Sequence, residues 1–184
     1  MTKGWFRTQN DALQPALLRQ IGPNGFTIWS LIKRHADLNT GLSWPSMRYI
    51  REATGLRNSS INTAIAALQA AHMLRIETPG KGTRATRYIA RERLDIWLGS
   101  RRICTAVIDY IPTKFSEQLK QLESDLKGDA WESILTHCQI LPGDGFHWDA
   151  ATNTFRAEIL LKEAVDNPVD NPVNKLLNPD PVKN

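Results

Sequence analysis

The sequence lacks most of what an enzyme, a membrane protein or a disulfide scaffold requires. Only two cysteines occur in 184 residues. Cys104 and Cys138 are too few for a disulfide framework and have no metal-ligand spacing, so each is read as a small buried apolar side chain. No apolar run approaches the ~20 residues that cross a bilayer, and the N-terminus has no apolar stretch of signal-peptide length. The expected compartment is therefore the cytoplasm, with no membrane partner. His35, His72, His137 and His147 are isolated, and His137-Cys138 is an adjacent pair rather than one helical face. A phosphate-cradling glycine loop ending in Lys-Ser/Thr is missing. Asp109, Asp144 and Asp149 have no spacing that suggests a nuclease cluster. No catalytic set, metal or cofactor is expected, and the chain is not read as an enzyme.

Acidic residues are scarce in the first half. Residues 1–102 carry 16 Lys/Arg against 6 Asp/Glu, a net of +10, whereas residues 103–184 carry 7 against 13, a net of −6. A basic half beside an acidic half points to a polyanionic partner on one side only. The overall composition, 41% hydrophobic and 23% charged, is that of a globular protein.

The local pattern explains the basic half. A helix-like stretch over 11–21 is broken by Gly22-Pro23-Asn24-Gly25. A second helix is expected over 26–36, with Ile28, Trp29, Leu31 and Ile32 on its apolar face. In Ser43-Trp44-Pro45-Ser46, Ser43 can cap and Pro45 can open a short helix over 46–53. Gly55 ends it by taking the positive φ that other residues resist. A further helix, capped by Asn58 or Ser59 and running to 71, has Ile61, Ala64, Ile65 and Leu68 at i, i+3, i+4 and i+7. Strands over 73–76 and 85–90 flank Pro79, Gly80 and Gly82, a hairpin signal.

Helix, short helix, glycine turn, helix and hairpin together form the order that places one helix in the major groove. The outward face of the candidate reading helix offers Arg57, Asn58, Ser59, Ser60, Asn62 and Thr63. Asn can bond adenine in bidentate fashion, Arg can bond guanine, and Ser and Thr are permissive. Ala66, Ala67 and Ala70 behind them allow close approach. On the hairpin, Lys81, Thr83, Arg84 and Arg87 suit phosphate contact, and Arg48 and Arg51 on the preceding helix suit the flanking backbone.

These residues resemble the winged helix-turn-helix domain of plasmid and phage replication proteins. The likeness lies in Gly41-Leu42-Ser43-Trp44-Pro45-Ser46, in Ile50 to Leu56, in Ile61 to Leu68 and in Arg87-Tyr88-Ile89, covering about residues 25–90. Two departures stand out. Ala71-His72-Met73-Leu74 stands where the pattern has a glycine in place of His72, and Arg57-Asn58-Ser59-Ser60 stands where it has two cations.

The second half reads as a buried strand over 104–111 ended by Pro112, then a helix over 114–126. On that helix Phe115, Leu119, Leu122 and Leu126 form a short heptad-like seam, suited to packing within the domain or to a dimer. Another helix near Trp131 and a hairpin over 145–160 follow. Trp29, Trp44, Trp97 and Trp131 stand beside apolar positions and are expected to pack. Val-Asp-Asn-Pro occurs twice, from Val165 and from Val169, in a proline-rich tail expected to be disordered.

The expected fold is α+β in three parts. Residues 1–100 would form a winged helix-turn-helix domain, residues 101–163 a small mixed α/β dimerisation or partner-binding domain, and residues 164–184 the tail. The expected function is sequence-specific binding of double-stranded DNA in plasmid or phage replication. The candidate further partners are a second copy of the chain and a host replication protein. An autoregulatory repressor is the alternative, and a protein-binding adaptor the second alternative.

Overall fold

The computed structural model describes residues 10–80, 85–128, 130–143, 145–149, 151–152 and 154–157. A 3-10 turn at Asn10–Leu13 precedes helix α1, Pro15–Arg34. α1 consists of two segments joined at Gly22, whose φ of 68° and ψ of 172° are not helical. Proline disfavours helical backbone in the residue before it, and its own fixed φ suits the first position of a new helix. The break therefore lies where the sequence puts it. The second segment starts at Pro23 rather than 26, because the proline opens the next helix instead of merely ending the last.

Strand β1 (Leu42–Ser43), helix α2 (Met47–Thr54), helix α3 (Asn58–Ala70) and strand β2 (Leu74–Thr78) follow. Both β1 and β2 pair antiparallel with the start of β3, Arg87–Leu98. The apolar faces of α1, α2 and α3 meet this small sheet in one core, with Trp29, Ile32, Ile50, Ile61, Leu68 and Tyr88 all buried. Gly41 precedes β1 at φ 71°, and a Cβ there would stand 2.4 Å from the Tyr110 carbonyl oxygen. Only glycine permits that approach.

β3 does not end at 90, as the hairpin pattern suggests. It continues to Leu98, turns at Gly99-Ser100 and pairs along its second half with β4, Arg101–Asp109. The position expected to divide the domains lies in that turn, and the sheet passes through it. β4 in turn pairs with β5 (Gln139–Pro142), giving the strand order β1-β3-β4-β5 with β2 also on β3. Helices α4 (Phe115–Lys127) and α5 (Trp131–His137) accompany this part. β6 (Phe146–Asp149) and β7 (Thr154–Ala157) form a separate hairpin. The described residues thus form a mixed α+β fold. The tail and its repeat lie outside them.

A second apolar cluster joins Ala106 and Ile108 of β4 to Leu122 of α4 and Ile134 of α5. Phe115 belongs to the first cluster, and Leu119 packs against both. The α4 seam therefore packs within the chain and links the two cores. Cys104 is buried and Cys138 half-buried. Burial, with Asp95 nearby, pushes the Cys104 thiol up to about 12; burial and Asp125 push Cys138 up to about 11. Among the described residues no helix is long and apolar enough to cross a membrane.

Candidate nucleic-acid interface

α2 is held at both ends. Ser46 caps its start, its Oγ accepting from the Tyr49 N–H at 3.1 Å. Ser43, the expected cap, is instead buried in β1, and its hydroxyl has no hydrogen-bond partner among the described residues. At the other end Gly55 adopts φ 70° and donates its N–H to the Arg51 carbonyl at 2.8 Å. This left-handed closure, with Leu56 packed on the core, starts the turn into α3.

α3 begins without a side-chain cap. Arg57 occupies the cap position, so Asn58 and Ser59, the expected caps, are the first two helical residues. Residues of the type that usually bond to a helix end are thus left exposed. Ile61, Ala64, Ile65 and Leu68 are buried as the spacing requires, and Arg57, Asn58, Ser59, Asn62 and Thr63 are exposed on the opposite side. Ser60 is half-buried on one flank. Ala66 and Ala70 are exposed and Ala67 is half-buried, so beyond Thr63 the outer face is shallow. Gln69, seven residues from Asn62 and therefore on the same flank, is also exposed. It lies beyond the first turns of α3, where the residue types alone place the candidate contacts.

The end of α3 explains the departure at His72. His72 donates its N–H to the Gln69 carbonyl at 3.0 Å, and Met73 donates to the Leu68 carbonyl at 2.8 Å. These two bonds make a Schellman closure, which requires a left-handed residue at its centre. His72 supplies it with φ 58°, alone among the non-glycine residues described. The buried Met73 side chain and Leu68 complete the motif in the core.

Not every cation of the basic half is available to a ligand. Arg75 Nη2 lies 2.7 Å and Arg91 Nε 3.1 Å from the Asp109 carboxylate, which ties β2 and β3 to β4. Arg93 donates to the Ala71 carbonyl at 2.9 Å. Arg48 faces solvent beside Glu52 at 2.8 Å, and Arg51 is exposed on the same helix. Arg87 is exposed at the loop end of the β2–β3 pair, in register with Thr78. Lys81, Thr83 and Arg84, expected at its tip, lie outside the described residues.

The tryptophans divide. Trp29 is buried and donates Nε1–H to the Arg91 carbonyl at 3.2 Å, as a packing role predicts. Trp44 and Trp97 do not pack: they are 56% and 52% exposed. Trp44 faces outward because alternation along β1 turns its neighbour Ser43 inward. It shares a hollow with Thr78, Ala85 and Arg87 at the loop end of the β2–β3 pair.

Residues 19–72 match the family model of a helix-turn-helix domain. No curated protein and no solved structure matches the chain. The match runs from α1 through α3 to the His72 closure and ends before β2. Residues 19–72 are thus similar to a helix-turn-helix domain, in which α3 follows α2 across the Gly55 turn.

Proposed function

We propose that this chain is a sequence-specific binder of double-stranded DNA that acts in the initiation or control of plasmid or phage replication. The observation that carries the reading is the outer face of α3. Its amide and hydroxyl side chains begin at an uncapped helix end, are exposed except for the half-buried Ser60, and give way to alanines where a groove-bound helix must lie close. In this reading Arg57, Asn58, Ser59, Ser60, Asn62 and Thr63 meet base edges, with Asn58 and Asn62 the most discriminating. Arg48, Arg51 and Arg87, with Lys81, Thr83 and Arg84, meet the backbone.

The replication role rests on the resemblance of residues 25–90 to replication-protein domains. The acidic second half serves to recruit a second copy or a host replication protein. No reaction is assigned to the chain, and it acts in the cytoplasm, where its DNA is. Footprinting on the DNA around its gene tests this. Protection of direct repeats supports replication control; protection of one inverted repeat over its own promoter makes the protein an autoregulatory repressor, which the same fold would serve. Absence of any protected site, with a protein partner captured instead, would make it an adaptor.

A further inference from the structure

A cleft of about 400 Å3 opens between the break in α1 and the flank of α3. Its polar lining is Arg19, Gln20 and Asn24 from the two sides of the break and Ser59, Ser60 and Thr63 from α3. None of the described residues that line it is acidic. Among the described residues, none of these six side chains forms a hydrogen bond or an ion pair. Elsewhere in the same half, cations such as Arg75 and Arg91 are held by carboxylates. Among the described residues the cleft is therefore a group of unpaired donors around one unpaired cation, electropositive and open to solvent.

Its position gives it a partner. At 100° per residue, Ser60 and Ala67 lie on the same flank of α3, at the border of the outward strip formed by Ser59, Thr63 and Ala66. A helix seated in a groove about 12 Å wide has a phosphate strand along each flank. The strand on this side must pass the break in α1, and Ala67 is small enough to leave the cleft open.

We propose that the cleft holds the sugar-phosphate backbone of the DNA strand along that flank of α3. Arg19 supplies the charge. The amides of Gln20 and Asn24 and the hydroxyl of Ser60 donate to phosphate oxygens. Ser59 and Thr63 form the lip shared with the reading face. Phosphate anchoring at the start of α3, where Arg57 is followed by the uncharged Asn58, Ser59 and Ser60, is thus supplemented from the neighbouring helix. This inference rests on the reading of α3 above and assigns Ser60 to positioning rather than to base contact.

The test uses the full chain and two variants, Arg19→Gln and Ala67→Glu, with folding checked by thermal melting. Each is titrated with its footprinted site and with a random duplex over a range of salt. Arg19→Gln is expected to weaken both duplexes about tenfold, the size of one charge-assisted contact. It should also lower the salt slope by about 0.9. Ala67→Glu, which puts a carboxylate in the cleft, should weaken both at least as much. If the parent binds its site while both variants keep its affinity and salt slope, the cleft is off the DNA and the inference fails, leaving the role of α3 intact. Losses confined to the footprinted site would also overturn it, by making these residues base readers. A parent with no salt-dependent duplex binding overturns the reading of α3 and this inference together.

Discussion

Lys33 of α1 and Glu92 of β3 form an ion pair with neither side chain open to solvent. The ammonium also lies 4.1 Å from the centroid of the Tyr110 ring and 4.5 Å from that of Trp29. Burial lowers the Lys33 pKa more than the Glu92 carboxylate raises it. The pair joins the helix that supports α3 to the strand that continues into the second half. Removing one partner of a buried pair strands the other charge, whereas replacing both is often tolerated. Glu92→Gln should therefore cost about 3–5 kcal/mol in urea unfolding, and Lys33→Met combined with Glu92→Leu should recover most of that stability. Additive costs in the double variant would show that the two side chains act separately.

His72 holds a left-handed backbone that glycine adopts without penalty. His72→Gly should raise stability by about 0.5–1 kcal/mol, the relief of strain less the added freedom of the unfolded chain. Burial, with Arg91 and Arg93 nearby, lowers the His72 pKa below its ordinary 6.5. The unfolded chain thus takes up this proton first on acidification, and the parent loses stability as pH falls below 6.5. The gap between variant and parent should widen over that range. A constant gap would show that His72 titrates alike in both states.

Leu122 is buried between α4, β4 and α5. Leu122→Ala should destabilise the fold by about 2–5 kcal/mol, as core truncations do. Sedimentation of the folded variant should give the parent's mass. A folded variant with a smaller mass would return the α4 seam to a dimer interface.

Neutralising Lys81, Arg84 and Arg87 together should weaken binding to all duplexes and reduce the salt slope by about 0.9 for each phosphate that the hairpin no longer neutralises. An unchanged slope would place the hairpin away from the backbone.

The sequence shows the helix-turn-helix well because its signals are local. Gly22-Pro23, Gly55 and the buried spacing of Ile61 to Leu68 each constrain one turn of backbone, and each has the expected place in the structure. What the sequence hides depends on distant partners. Nothing near Arg91 shows that β3 continues to Leu98, since its pairing with β4 is set across a turn and by Asp109. β1 and β5 are too short for a pattern of their own, and exist because β3 and β4 present open edges. Ser46 rather than Ser43 caps α2 because pairing with β3 holds Ser43 in the sheet. The cleft beside α3 is illegible in the sequence for the same reason: Arg19 and Ser60 are 41 residues apart in the chain and meet only through the packing of α1 on α3.

In the proposed complex α3 reads base sequence through Asn62. The most direct measurement is the affinity of Asn62→Ala for the footprinted site and for a random duplex at one salt concentration. A loss of about 1–3 kcal/mol on the site, with little change on random DNA, is the predicted result. Equal losses on both duplexes would contradict it and place Asn62 on the backbone.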